Sequence, residues 1–199
     1  EIYRGRTPPL IRMMVGLMKI YWTPSYPPAF GEAVARLYCT HQPEFQRRAR
    51  SLYPDRECVI DGETRLTYEQ FFARCDQWSA ALQRLGVQKG DRVAYVCLNT
   101  SSHLESFYAV PQIGAVLVPI NYRLKPQEIE YIVQHSGATV VCAHADFLED
   151  LEVIRDRCPQ VAHYVALDGT AEGWANYDAL VAAETGRVVR PTINERDLL

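Results

Sequence analysis

The chain has 199 residues, of which 48% are hydrophobic and 23% charged, and carries a formal net charge of −3. That length suits one α/β domain with a real core, with an arm besides, and leaves too little for two full domains. The balance is that of an ordinary globular chain: it excludes disordered, collagenous and membrane-embedded classes, and nothing in it points to nucleic acid.

An apolar run opens the chain, Leu10–Trp22, preceded by Arg4 and Arg6 as the charged region of a signal peptide would be. Arg12 and Lys19 interrupt it, no cleavage site of small residues follows, and it is too short to span a bilayer. A peripheral arm or amphipathic patch is the favoured reading, so membrane association is peripheral at most. Because the chain opens on Glu1 rather than Met, its first residues read as an imposed boundary, with Met13, Met14 and Met18 as candidate starts. The Pro-rich segment Trp22–Glu32 closes the arm, which we place at residues 1–31. A polar helical stretch, Glu32–Leu52, begins the domain at 32–199.

Cys58–Ile60 and Arg65–Leu66 flank Asp61-Gly62 and predict a short hairpin. Thr67 with Gln70 forms a capping-box pattern before apolar positions Tyr68, Phe71, Phe72, Cys75, Trp78, Leu82 and Leu85, spaced by three and four, with Gly86 at the C-terminal cap. Arg92–Leu98 reads as a buried strand. Ser102, with Glu105 three residues on, predicts the start of a helix running to Gly114 and bent by Pro111. Ala115–Ile120 is the next strand, with Pro119 marking where its pairing stops. Pro126 suits the first turn of a helix that Gly137 ends. The cycle repeats with strand Ala138–Ala143, a helix opened by Asp146 and stopped by Cys158-Pro159, and strand Ala162–Leu167. Trp174–Glu184 predicts a short helix, and Gly186–Leu199 a connecting strand or loop that stops without a domain ending. Strand and helix alternate throughout, which predicts an α/β fold with a mixed, largely parallel sheet flanked by helices.

In such a sheet ligands bind beyond the carboxyl ends of the strands, so the loops after Leu98, Ile120, Ala143 and Leu167 are the places to look. No G-x-G-x-x-G and no G-x-x-x-x-G-K-[ST] occurs. Asn99-Thr100-Ser101-Ser102 offers hydroxyls to an anion, although helix capping explains it more simply. Cys142 and His144 could share a strand face as a metal pair, but further ligands at zinc spacing are missing, so no metal site is assigned. Cys39 and His41 form a similar near pair. His103, His135 and His163 stand singly and suit surface or capping roles. Asp146, Glu149, Asp150 and Glu152 gather at a helix start, where they favour the dipole. The loop cation Arg123 is the weak candidate for binding phosphate or carboxylate, against a salt bridge or carbonyl clamp within the fold. The six cysteines follow no disulfide framework, which suits a reduced, cytoplasmic setting. No catalytic constellation emerges from the residues themselves.

Three segments in fixed order, Arg65–Phe71 (RLTYEQF), Lys89–Thr100 (KGDRVAYVCLNT) and Gly114–Val141, resemble the early core motifs of the AMP-forming acyl-CoA synthetases. The resemblance runs from Phe45 to Leu199, and Asn121-Tyr122-Arg123-Leu124 is similar to the fatty-acyl and medium-chain branch. It implies the first half of the large N-terminal domain of such a ligase. It also implies a reaction in which a carboxylic acid and ATP give an acyl-adenylate and pyrophosphate, with magnesium (Mg2+), before the acyl group passes to coenzyme A. The family's Ser/Thr/Gly-rich phosphate loop, its later Thr-Glu and ribose-binding segments and its C-terminal lysine find no match in these 199 residues. No catalytic residue is therefore carried over, and the chain alone is expected to be inactive and to hold none of these cofactors tightly. Its expected partners are the acid, CoA and the missing remainder of the ligase. The alternative is a non-catalytic interaction module or one partner of a split ligase.

Overall fold

In a computed structural model of the protein, residues 41–193 are described. The expected arm and the apolar run Leu10–Trp22 lie outside them, as does Cys39 of the near pair with His41.

Helix α1 spans His41–Leu52. Its Arg50 is held by Glu69 and Asp76, at 2.5 and 2.9 Å. Strands β1 (Glu57–Asp61) and β2 (Thr64–Thr67) form the expected antiparallel hairpin, with Asp61 opposite Thr64. Gly62, at φ 56°, takes the left-handed turn conformation that lacks a side-chain penalty. The capping box is formed: Thr67 Oγ1 accepts from Gln70 N–H, and Gln70 Oε1 accepts from Thr67 N–H. It opens α2, Tyr68–Arg84, whose buried face carries Phe71, Phe72, Cys75, Trp78 and Leu82.

The main sheet follows: β3 (Arg92–Val96), β4 (Val116–Ile120), β5 (Val140–Ala143), β6 (His163–Ala166) and β7 (Ala175–Asn176), all parallel, in the spatial order β4-β3-β5-β6-β7. Helices α3 (Ser101–Gln112), α4 (Pro126–Ser136) and α5 (Leu148–Arg155) make the crossovers between β3 and β6, and α6 (Tyr177–Ala182) follows β7. Side chains alternate between the two faces. Val93, Tyr95, Val140, Cys142 and Val165 pack with α2, α3 and α6, whereas Ala94, Val96, Val141, Ala143 and Ala166 pack with α4 and α5. Each buried side chain of Val or Leu size contributes about 1.5–3 kcal/mol. Trp78, without exposed surface, satisfies its indole N–H on the Tyr95 hydroxyl at 2.7 Å. Pro119 pairs opposite Tyr95 on the edge strand, where its missing N–H faces away from the ladder.

Three local expectations need correction. Helix α3 starts two residues earlier than a Ser102 cap would place it: Thr100 sits at its N-cap without a side-chain cap, and Ser102 and Glu105 are buried instead of forming a capping box. The segment opened by Asp146 is a 3₁₀ turn, Ala145–Phe147, before α5, which already ends at Arg155, short of Cys158-Pro159. The stretch expected as one helix from Trp174 holds β7 first, and α6 is capped by Asn176, whose Oδ1 accepts from Ala179 N–H at 2.8 Å. A two-residue strand is too short for any periodic signal.

Beyond α6 the chain lies as a strap across α2. Gln83 bonds both backbone groups of Val189, Arg190 reaches Asp76 and Gln112, and Lys89 Nζ donates to the Thr192 carbonyl at 2.9 Å. Among the described residues no helix is long and apolar enough to cross a membrane.

Candidate functional site

The first strand of the main sheet, β3, lies between the second, β4, and the third, β5. The connections therefore leave in opposite directions at the β3–β5 boundary, which opens a crevice at their carboxyl ends. A cavity of about 300 Å³ occupies that place, lined by the loops after β3 and β5 and by Asp168 and Asp178.

His144 sits at its floor, 5% exposed. Its Nδ1 accepts the Leu98 N–H at 3.2 Å, which in the neutral ring leaves the proton on Nε2, 3.1 Å from Thr100 Oγ1. Thr100 Oγ1 lies 3.0 Å from Ser102 Oγ, so hydroxyls and imidazole form one chain from backbone to helix start. Two aspartates from elsewhere tie down the loops: Asp61 of the hairpin accepts from Ser101 N–H, and Asp168 accepts from Ala145 N–H, each at 2.7 Å.

The deep wall is ionic. Glu105 has no exposed surface and takes hydrogen bonds from Arg74 Nε, at 2.6 Å, and from the Tyr177 hydroxyl. Burial raises its carboxyl above the ordinary range, and the bonds from Arg74 and Tyr177 only partly offset that. Arg74 also reaches Asp178, at 3.2 Å.

The crevice does not fit a nucleotide polyphosphate. Asp61, Asp146, Asp168 and Asp178 line it, the Arg74 guanidinium is already paired, and no glycine-rich loop brings backbone N–H groups to an anion. Among the described residues no three His, Cys, Asp or Glu side chains gather as metal donors.

Thr100, Ser101, Ser102, His144 and Asp146 thus come together, while Asn99 lines a neighbouring groove with His103. Cys142 is fully buried, and burial raises its thiol pKa well above the usual value. His135 stacks on Tyr131, and His163 begins β6. Glu152 is held by Arg155 and the Trp174 indole N–H. Arg123 stands apart from the crevice, exposed beyond the edge strand. Its N–H donates to Asn121 Oδ1 at 3.0 Å and its guanidinium lies 5.6 Å from the Tyr122 ring centre. The carbonyl clamp belongs to Arg92, whose guanidinium donates to the carbonyls of Ser136, Gly137 and Gly90. The ties made by Asp61, Arg74, Arg92 and Asp168 carry no local sequence signal, because apart from the Gly90 carbonyl their partners lie 23 to 104 residues away in other elements.

Comparison with known proteins adds independent findings. The family described as AMP-binding enzyme matches residues 45–198. The long-chain-fatty-acid–CoA ligase of Thermus thermophilus is 37% identical over 153 residues, which are 74% of this chain and 28% of that protein. The 4-hydroxybutyrate–CoA ligase 2 of Metallosphaera sedula is 35% identical over 57% of this chain and 21% of its own length. Among solved structures, a protein of Rhodopseudomonas palustris described as a long-chain-fatty-acid CoA ligase superposes with a TM-score of 0.72 at 31% identity, over 76% of this chain and 38% of its own. The anthranilate CoA ligase AuaEII, solved with anthranoyl-AMP, gives 0.71 at 27%, over 75% of this chain and 29% of its own. The chain therefore spans between about a fifth and two-fifths of the length of these relatives.

Proposed function

The chain belongs to the family of AMP-binding enzymes, and from that premise we propose that it is the N-terminal part of an AMP-forming acid–CoA ligase. The complete ligase would join a carboxylic acid to AMP at the expense of ATP, release pyrophosphate, and pass the acyl group to coenzyme A. A fatty acid is the proposed substrate class. The observation that carries this reading is the family match over residues 45–198, with relatives that are CoA ligases for several acids. ATP, Mg2+ and CoA are assigned to the complete enzyme and not to the crevice, whose carboxylates disfavour a polyphosphate.

The isolated 199-residue chain is proposed to be inactive. Acid-dependent exchange of radiolabelled pyrophosphate into ATP is expected to stay at background for the chain alone, and to appear when it is spliced onto the unmatched part of a related ligase. Exchange by the chain alone would place the site within it and refute the assignment. Arg123 remains the proposed contact for an anionic group in the complete enzyme, because its exposed guanidinium stands over Tyr122 at the carboxyl edge. There, Arg123→Ala is expected to raise a KM for ATP or CoA about tenfold with kcat little changed, the loss of one charge-assisted hydrogen bond. Unchanged constants would remove Arg123 from the site.

A cytoplasmic setting fits the five described cysteines, all free. Burial pushes the Cys97 thiol up to about 12, which leaves it inert. The second reading, one partner of a split ligase, draws on Ile60 and Leu104, exposed together in the groove beside the crevice.

A further inference from the structure

Leu98 follows β3 by two residues, lines the crevice and meets two imidazoles from different elements. Its N–H donates to His144 Nδ1 at 3.2 Å. Its carbonyl favours a proton on the ring of His103, which is stacked against Tyr95 and Phe107 with ring centres 6.1 and 5.1 Å away. His103 Nε2 is buried without a hydrogen-bond partner, so that proton falls to Nδ1. The two rings therefore take opposite neutral forms, one accepting from Leu98 and the other donating to it. Their responses to acid are opposite as well. A second proton on His103 enters at Nε2 and leaves its side of Leu98 intact. A second proton on His144 enters at Nδ1, because Nε2 already carries one toward Thr100 Oγ1, and an N–H there repels the Leu98 N–H that Nδ1 had accepted. Burial and the charge of a protonated His144 lower the His103 pKa below the ordinary histidine value, so the two rings do not charge together.

We propose that His144 is an acid-released latch on the end of β3: neutral, it holds Leu98 and with it the loop that borders the crevice, and protonated at Nδ1 it lets Leu98 go while keeping Thr100. The latch concerns the fold of this chain and stands apart from the ligase reading. Other ionisable groups reach the same crevice: Asp61 from the hairpin, Arg74 from α2, Asp146 from the 3₁₀ turn, Asp168 from the loop after β6, and Tyr177 with Asp178 from α6. Asp61 and Asp168 are committed to the N–H groups of Ser101 and Ala145, and Asp178 to Arg74. Burial raises the Tyr177 hydroxyl well above its usual value, so it stays protonated. Glu105 behind it also takes a proton on acidification, but its bonds run to Arg74 and Tyr177 and not to the loop.

The test follows amide hydrogen exchange in the 199-residue chain at pH 8 and pH 5, each rate divided by the intrinsic rate at that pH. Protection of the Leu98 amide is expected to fall about tenfold at pH 5, as for a buried donor that loses its acceptor. Thr139, whose N–H donates to the Arg92 carbonyl at the opposite end of the sheet, is expected to change little. In His144→Asn the side-chain oxygen takes the place of Nδ1 and gains no proton, so Leu98 should stay protected at both pH values. Constant Leu98 protection in the wild type would overturn the proposal. So would an equal fall in His144→Asn, which would give the effect to Glu105 or the aspartates. One further measurement needs no variant: the nitrogen-15 shift of His144 Nδ1 should titrate together with the protection of Leu98. Loss of that protection with Nδ1 still unprotonated would also overturn the latch.

Discussion

Gly137 shows how one position joins two elements. At φ 64° it ends α4 in the left-handed region, and a Cβ added there would stand 2.5 Å from Arg92 Nη2, the nitrogen that clamps its own carbonyl. Gly137→Ala therefore meets both backbone strain and a displaced guanidinium. It is expected to lower stability by about 1–2 kcal/mol, read as a lower urea midpoint at unchanged slope. An unchanged midpoint would mean that Arg92 moves freely. The cap itself was readable, since glycine after a periodic run is a local signal. The clamp was not, because Arg92 and Gly137 are 45 residues apart. Glu105 makes the same point in ionic form. Its native carboxyl titrates above the unfolded value because burial outweighs the bonds from Arg74 and Tyr177, so on acidification the native state takes the proton first. Its contribution to stability rises as the pH falls through the raised native value and is complete below the unfolded one. The stability difference between the wild type and Glu105→Gln, measured by urea unfolding from pH 7 down to 4, should shift toward the wild type on acidification. A constant difference would show that the carboxyl is not raised.

At the scale of elements, helix starts separate what is local from what is not. Thr67 and Gln70 are three residues apart and cap α2 as their spacing requires. Ser102 and Glu105 share that spacing, yet Glu105 turns inward to Arg74 and Tyr177, and the first turn of α3 is capped from the hairpin by Asp61. Asp61→Ala should cost about 1 kcal/mol, typical of a lost helix cap, although β1 would still pair with β2. Thermal unfolding followed by circular dichroism checks this, and an unaltered Tm would assign the capping to solvent. The alternating order of strands and helices was legible because each strand is a short apolar run closed by a glycine or a cap. The two residues of β7 were not, since their placement depends on pairing with Val165 and Ala166 alone.

For the whole molecule, periodicity and segment order were enough to predict a largely parallel α/β sheet. The five-stranded sheet is wholly parallel, with antiparallel pairing confined to the separate hairpin. The crevice was foreseen only as a set of loops, because which of them meet depends on strand order, and strand order is a property of the assembled sheet. Tyr177 ties this assembly together: its ring packs on Trp78 at 4.8 Å, and its hydroxyl reaches Glu105 on another helix. Tyr177→Phe keeps the packing and removes the donor. It should destabilise by about 1–3 kcal/mol, the penalty for a buried acceptor left short of a partner. Loss below about 0.5 kcal/mol in urea unfolding would mean that Arg74 alone satisfies the carboxylate.

The strap that follows α6 has a consequence for reach. It lays residues 188–192 over α2 and delivers Thr192 beside Lys89, at the end of the sheet where β3 begins, while the crevice lies where β3 finishes. The five residues of β3 rise about 17 Å at the usual strand spacing. Any polypeptide continuing from that point must climb the same height, at least five extended residues or about eleven helical ones, before it can touch the crevice.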